Sequence, residues 1–290
     1  MEAFWHQVFS GLAAGGIYAS LALALVMIYQ ATHLVNFAQG EMAMFSTYIA
    51  WALLQAGLPY WLAFIATLGL SFAGGVLVEH VIIRRVEHAP VLTVVSVFIG
   101  LLVAVNSIAG WIFTYTIKSF ASPFPSDAWY GSRYLSPHEV GMIGVTLVVL
   151  LVVFLFFRFT ALGLAMRGAA ENPQASKLVG IRVGRMLALG WGLAAALGAV
   201  AGILAAPVVY LEPNMMSGVL LYGFAAALLG GIDNPWGAPL GGFIVGVLEN
   251  LAGAYVVGTS IKLAVALLII VAVVTFKPSG LFGKTVVARV

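Results

Sequence analysis

No cysteine occurs in these 290 residues, which excludes a disulfide framework, a thiol nucleophile and a thiolate metal site. Charge is nearly as scarce: Asp, Glu, Lys and Arg together make up 8% of the chain, against 62% hydrophobic residues. With a mean hydropathy of +1.08, too little polar side chain remains to cover a water-soluble globule of this length. Strand-like alternation is missing as well, because the apolar runs are continuous, and this argues against a β-barrel. What is left is an all-α polytopic membrane protein. At about 20 apolar residues per crossing, the chain has room for roughly eight to ten transmembrane helices.

Catalytic constellations are also lacking. His138-Glu139 has no second His to complete HExxH, the five His residues are scattered, and no Ser or Thr stands in a nucleophile elbow. No catalytic residue and no metal ligand is therefore expected. The run GLFGKT, residues 280–285, resembles part of a phosphate-binding loop, but Pro278 stands where the first Gly is required and no strand precedes it. The chain is expected to bind no cofactor, and any ATP and Mg it depends on belong to partner subunits.

Spans are expected near residues 8–30, 36–56, 60–83, 91–117, 140–157, 186–210, 217–232, 237–257 and 260–276. The N-terminus (Met1, Glu2, His6) has no basic segment ahead of its apolar run, so the first span is expected to act as the insertion signal. Of the thirteen basic residues, Arg84, Arg85, Arg158, Arg167, Lys177, Arg182, Arg185, Lys277, Lys284 and Arg289 fall on one side if the N-terminus faces outward. The positive-inside rule makes that side the cytoplasm, and leaves Lys118, Arg133 and Lys262 outside. The segment 118–139, with Pro123, Pro125, Trp129, Tyr130 and Pro137, is then the largest external loop. It suits either an external partner or an aromatic-anchored connector.

The one long polar island is the cytoplasmic loop 158–185, RFTALGLAMRGAAENPQASKLVGIRVGR. Within it Asn172 suits an N-cap, Pro173 the first helical position, and Gly180 a left-handed helix end. A short capped helix between two spans suits the docking of a soluble partner.

Two Gly- or Pro-broken polar segments interrupt the hydrocarbon, one in each half. The first carries Asn36, Gln39, Gly40 and Glu41, and the second carries Gly230, Gly231, Asp233, Asn234, Pro235 and Gly237. Such pairs point to a transport pathway between two related halves, although N-P and D-N pairs are also ordinary turn chemistry. Glu41 leads directly into the second span, and a carboxylate at membrane depth costs about 3 kcal/mol on insertion scales. Asn106 and Glu249, with Asn250, lie inside other spans and suit either a pore lining or hydrogen bonds between helices. Glu79, His80, Glu87 and His88 beside Arg84 and Arg85 read as a solvated interfacial charge cluster. Gly198 with Gly202, Gly237 with Gly241 and Gly242 with Gly246 have the spacing of close helix contacts.

The run GLAAGGIYASLALALVMIYQATHLVNFAQGEMAMFSTYIAW resembles the amino-terminal signature of the membrane permeases of branched-chain amino-acid (LIV type) ABC importers. RGAAENPQASKLVGI resembles that family's cytoplasmic loop, and AALLGGIDNPWGAPLGG with FKPSGLFGK its carboxy-terminal half. Gln39 stands where the family often has His, and Asp233 to Trp236 replace commoner small residues. The resemblance implies a permease that works with a second homologous permease chain, two cytoplasmic ATPase subunits and an external solute-binding protein, in a bacterial or archaeal plasma membrane. It also implies a coupling helix over residues 171–180, with Arg167, Glu171, Asn172, Pro173, Ala175, Ser176 and Gly180 at the ATPase contact. The implied pathway runs past Asn36, Gln39, Gly40, Glu41, Asn106, Asp233, Asn234 and Glu249. A competing reading is an ion-coupled secondary transporter using Glu41 or Glu249 as its ion site, which leaves the capped helix unexplained. An intramembrane hydrolase would need a paired nucleophile and base, and the sequence offers none.

Overall fold

The computed structural model describes residues 2–87, 89–125, 135–256, 258 and 261–283. His88, Trp129, Tyr130, Arg133, Lys284 and Arg289 lie outside the described residues. The described chain folds as α1 (Glu2–Thr32), α2 (Gln39–Gln55), α3 (Tyr60–Val78), a π-turn (Glu79–Ile83), α4 (Arg84–Val86), α5 (Val91–Phe113), α6 (Pro137–Phe159), α7 (Ala161–Glu171), α8 (Pro173–Leu178), α9 (Val183–Val209), α10 (Met216–Gly230), α11 (Gly237–Tyr255) and α12 (Lys262–Phe276). Six of these segments, α1, α3 with its extension through α4, α5, α6, α9 and α11, are long and apolar enough to cross a membrane.

Helix α1 is the axis of the bundle: 89% of its most apolar stretch is buried, against 17% for α5 and for α6. Between apolar helices in lipid there is little hydrophobic force, so close approach of backbones has to hold them together. Glycine provides it. Gly11 and Gly15 of α1 lie against Gly246 and Gly242–Phe243 of α11, and a Cβ at any of these four glycines would overlap the facing backbone. Gly75 of α3 makes the same kind of contact with the Trp191 backbone of α9, Gly192 of α9 makes room for the Phe72 and Val76 side chains of α3, and Gly198 and Gly202 bring α9 onto α2. The small-residue spacings in the sequence are thus helix contacts.

Neighbour pairs fix the direction of each helix. Gly11 beside Gly246 and Ala19 beside Gly242 make α11 antiparallel to α1. Gly230 against Gly237 and Ala226 against Gly241 close an α10–α11 hairpin, so α10 runs with α1. Helix α2 runs with α9, since Gln39 reaches Ala194 while Gly202 meets Ala43 and Thr47. It runs against α10, because Phe37 meets Phe224 while Gly40 meets Leu220 and Met216.

Two reversals follow from this. Helix α1 ends, the chain turns at His33 (φ 55), and residues 33–38 lead back into the bundle to the start of α2. Helix α9 ends, the chain turns at Tyr210 (φ 64), and residues 210–215 lead back to the start of α10. Positive φ is costly for residues with a Cβ and marks a forced change of direction. At 17 and 15 residues, α2 and α10 are short for a full crossing. They start at one level: Gly40 packs on Met216, and Gln39 faces Ala194, about 17 Å along α9 by the helical rise. Since α9 has 27 residues and is about 40 Å long, that level is near mid-depth. The two units have opposite polarity, the arrangement of an inverted repeat.

The match between the halves therefore differs from the sequence expectation. Residues 210–215, not the Gly-rich 230–237, are the counterpart of 33–38. Residues 230–237 form the tight turn of the α10–α11 hairpin, and the second and seventh expected spans begin at mid-depth. Within the Glu79 group, His80, Arg85 and Glu87 are exposed as expected, but Glu79 itself is 1% exposed and accepts two hydrogen bonds at 3.2 Å and one at 3.0 Å from the Arg84 guanidinium.

Gly246→Val, which places a branched side chain against Gly11 and Gly15, is expected to destabilise the bundle by the about 1–3 kcal/mol typical of overpacking, or to prevent assembly. Gly100→Ala, where nothing lies within 4 Å, is the control expected to be neutral. Thermal unfolding in detergent micelles checks both.

Candidate functional site

The start of α2 is built by its own side chains. Asn36 is fully buried; its Oδ1 accepts the Ala38 N–H at 3.0 Å, and its Nδ2 lies 3.5 Å from Gln39 Oε1. Gln39, also fully buried, donates from Nε2 to the Ala194 carbonyl at 2.9 Å. These two amides thus secure a helix end inside the bundle, where an unmet backbone group would cost several kcal/mol. Gly40 leaves room for Leu220 and Met216 of α10.

Glu41, the next residue, is 6% exposed. The Asn106 amide from α5 donates to its Oε2 at 3.1 Å. The same Nδ2 lies 2.9 Å from the Pro213 carbonyl and 3.2 Å from Asn214 Oδ1, in the second reversal. Asn106 therefore joins both broken units to α5. Asn214 and Ser217 are exposed beside it, so the cluster opens on one face of the bundle. Phe37, a turn before Glu41, borders an apolar recess of about 210 Å³ with Val35, Phe224 and Leu228. Glu41 is not in the lining of that recess, which extends past Leu228 to Ile232 in the α10–α11 turn.

Glu249 belongs to a separate cluster. Tyr18 Oη donates to its Oε2 at 2.8 Å, and Tyr18 stacks on Tyr222 with ring centroids 4.8 Å apart. Lys262 Nζ lies 4.0 Å from Glu249 Oε1 and donates to Asn250 Oδ1 at 2.7 Å. Asn250 in turn donates to the Gln7 carbonyl at 2.8 Å. This network pins α1, α10, α11 and α12 together.

Asp233 and Asn234 lie in the α10–α11 turn, away from Glu41. Asn234 Oδ1 accepts the Trp236 N–H at 3.0 Å and its Nδ2 donates to the Phe282 carbonyl at 2.9 Å; the Asp233 carbonyl accepts from Gln30 at 3.1 Å. The carboxy-terminal KPSGLFG returns the contact. Leu281 and Phe282 donate to the Leu229 and Gly230 carbonyls at 2.7 and 3.3 Å, closing the last turn of α10. The GGIDNPWG and KPSGLFG motifs are one structural unit.

The polar island 158–185 holds two helices, not one. Glu171 ends α7, and the capped helix is α8, starting at Pro173. The Ala175 N–H donates to Asn172 Oδ1 at 2.9 Å. At the other end Gly180 (φ 85) completes a Schellman motif, with Ile181 N–H to Ser176 O at 3.0 Å and Gly180 N–H to Lys177 O at 3.1 Å. Ser176 is buried, whereas Asn172, Pro173, Ala175 and Gly180 are exposed; Asn172, Pro173 and Gly180 fix where the helix starts and stops. At its end Leu178 and Val179 are 88% and 76% exposed, beside exposed Gln174 and Lys177 on the same helix and Arg167 and Glu171 on α7. The sequence reading missed this apolar pair because a Leu-Val step is unremarkable in so apolar a chain. It also missed Asn214, Tyr18 and Tyr222, whose roles depend on which helices adjoin.

Residues 7–274 match the family described as branched-chain amino acid transport system / permease component. The chain is 30% identical over 304 residues to LivH of Salmonella typhimurium, a high-affinity branched-chain amino acid transport system permease protein, covering 99% of this chain and 98% of that one. It is 31% identical to BraD of Pseudomonas aeruginosa, with the same coverage, and 27% identical to a probable LivH of Methanocaldococcus jannaschii, over 91% and 87% of the two chains. Among solved structures it resembles a chain of PsaBC from Streptococcus pneumoniae in complex with Fab, with TM-score 0.51, 12% identity and coverage of 93% and 91%. That likeness concerns the fold.

Asn106→Leu leaves the Glu41 carboxylate buried without its amide donor, and is expected to cost about 1–3 kcal/mol. Adding Glu41→Leu is expected to recover part of that loss, since removing both partners is cheaper than removing one. Unfolding in mixed micelles across the double-mutant cycle gives the coupling energy.

Proposed function

The chain belongs to the branched-chain amino-acid transport permease family, and we propose that it carries branched-chain or similar hydrophobic amino acids through the plasma membrane as the permease subunit of an ATP-driven importer. It is a multi-pass transport subunit rather than an enzyme, and works in association with an ATPase. In the proposed assembly it pairs with a second homologous permease, two cytoplasmic ATPase subunits that hold ATP and Mg, and an external solute-binding protein.

The observation that carries the reading is the loop 158–185. A helix closed at both ends, with two exposed aliphatic side chains at its tip, is a rigid knob suited to a groove on a soluble subunit. The proposed ATPase contact comprises Leu178 and Val179, flanked by Arg167 and Glu171 and shaped by Asn172, Pro173, Ala175, Ser176 and Gly180. The proposed pathway passes the mid-depth break, with Glu41 and Asn106 at its centre and Asn36, Gln39 and Gly40 fixing the start of α2. The Glu41 carboxylate suits a solute ammonium group. Asp233, Asn234 and Glu249 then act from a distance, through the hairpin turn and the helix-pinning network. The N-terminus and the segment 118–139 are proposed to face outward, and the loop 158–185 and the C-terminus to face the cytoplasm.

Leu178→Asp with Val179→Asp is expected to weaken co-purification of the cognate ATPase at least ten-fold, as loss of interface anchors does, and Arg167→Glu with Glu171→Lys to weaken or uncouple it. Wild-type chain that holds no ATPase, yet moves solute down an ion gradient, would establish the secondary-transporter reading instead. Because the chain has no cysteine, single cysteines report topology cleanly. A membrane-impermeant maleimide applied to intact cells is expected to label Glu2→Cys and to miss Arg85→Cys, at an exposed position outside the proposed ATPase contact, which reacts only after the membrane is opened.

A further inference from the structure

About two helical turns past Glu41, toward the bundle end opposite the loop 158–185, apolar side chains fill the space between α2 and α5. The direction follows from α2 running with α9, whose first turn adjoins α8. Tyr48 is fully buried there, and its ring stacks on Phe113 of α5 with centroids 4.5 Å apart and planes at 11°. Phe120, Leu211 and Met215 belong to the same buried cluster. The Tyr48 hydroxyl has no hydrogen-bond partner among the described residues, which is costly for a buried polar group. Strained backbone lies just beyond. Helices α5 and α9 each end on a non-glycine residue in the same unfavourable conformation, Thr114 at φ 66, ψ 166 and Tyr210 at φ 64, ψ 156. The two segments that follow pair with each other. The Lys118 N–H donates to the Leu211 carbonyl at 2.9 Å and the Leu211 N–H to the Lys118 carbonyl at 3.1 Å, an isolated antiparallel bridge. The Lys118 ammonium sits 5.1 Å from the centre of the Trp51 ring on α2. Past the bridge, Pro213 and Asn214 supply two of the three oxygens around the Asn106 amide nitrogen, and Glu41 supplies the third.

We propose that the stacked Tyr48 and Phe113 are a gate closing the pathway between Glu41 and this end of the bundle, and that the Lys118–Leu211 bridge is its latch. Strain at Thr114 and Tyr210 and the unmet Tyr48 hydroxyl disfavour the closed arrangement. Two backbone hydrogen bonds and the Lys118–Trp51 contact hold it, so a docked partner or a tilt of α9 can tip the balance. Parting the bridge frees residues 210–215, lets water reach the Tyr48 hydroxyl and withdraws two oxygens from Asn106. Opening at the end and release of Glu41 at mid-depth are thereby one movement. That solute passes this gate rests on the importer reading; the opening of the latch does not.

The latch is tested in the purified full chain in phosphatidylcholine nanodiscs, by amide hydrogen exchange over residues 114–120 and 210–215. Tyr48→Phe keeps the stack and removes the hydroxyl that favours opening. It is expected to slow exchange in both segments about three-fold or more, with that of α6 unchanged. Exchange that Tyr48→Phe leaves as it was, or slows equally throughout the chain, overturns the proposal. The gate is tested by uptake. Paired residues in such a bridge have Cα atoms about 5.5 Å apart, within reach of a disulfide, and the chain has no cysteine of its own. In proteoliposomes that hold the cognate ATPase and binding protein, oxidised Lys118→Cys with Leu211→Cys is expected to lose leucine uptake about ten-fold or more, and to regain it on reduction. Tyr48→Phe is expected to slow uptake while unfolding at no lower temperature than wild type, whereas a merely structural stack leaves uptake unchanged. Uptake by the fully cross-linked protein at the wild-type rate overturns the gate. If the wild-type chain assembles with no ATPase or takes up no leucine, the importer reading fails, and the exchange result still decides the latch.

Discussion

A helix that stops inside a bilayer leaves backbone N–H and C=O groups where no water can reach them, and each must find a partner within the protein. Both broken units answer this demand with side-chain amides. Asn36 serves the Ala38 N–H at the start of α2, and Asn106 serves the Pro213 carbonyl just before α10. Gln39 ties the first break to α9. Because Asn106 also holds Glu41, the group that satisfies the backbone is the group that keeps a carboxylate at mid-depth. The polar centre and the broken fold depend on each other.

The rest of the bundle supplies rigidity around that centre by contact rather than by burial energy. Glycine pairs bring α1 onto α11 and α3 onto α9 at backbone distance, where dispersion and weak backbone contacts are densest. The Tyr18, Glu249 and Lys262 network adds directional bonds toward the opposite end from the loop 158–185. Buried ion pairs give register more reliably than stability. This one fixes α12, whose 15 residues bury only Ala266 and Val273.

Much of this was legible in the residues. The all-α membrane class followed from composition, the Asn172 cap and Gly180 terminus from residue type, and the helix contacts from small-residue spacing. Those are local signals. The second mid-depth break was not legible, because Tyr210 to Met215 reads as any short connection between spans: nothing in YLEPNM records that the chain turns back inward. The Gly-rich 230–237 drew attention instead, although its glycines serve a close approach between α10, α11 and the carboxy-terminal segment. Glu79 was misread for a related reason. A carboxylate five residues before an Arg looks solvated, since helical neighbours are three or four apart, and only the π-turn brings the pair together.

Helix α9 connects these parts into one mechanical element. Its first turn follows directly on α8 and is held by Arg84 at Gly184. Its middle carries Ala194, Gly198 and Gly202, which seat the start of α2. Beyond Pro207 it leaves the helix at Tyr210 and leads into α10. A displacement of α8 therefore has a stiff route along about 40 Å of helix to both broken units. Pro207 removes a backbone hydrogen bond near the C-terminal end of α9, so bending is easiest where α9 turns back into the bundle. The two short helices meet α9 at different places, α2 along its middle and α10 at its end through residues 210–215. A tilt of α9 moves them by different amounts and changes the gap between their starts, where Glu41 and Asn106 lie.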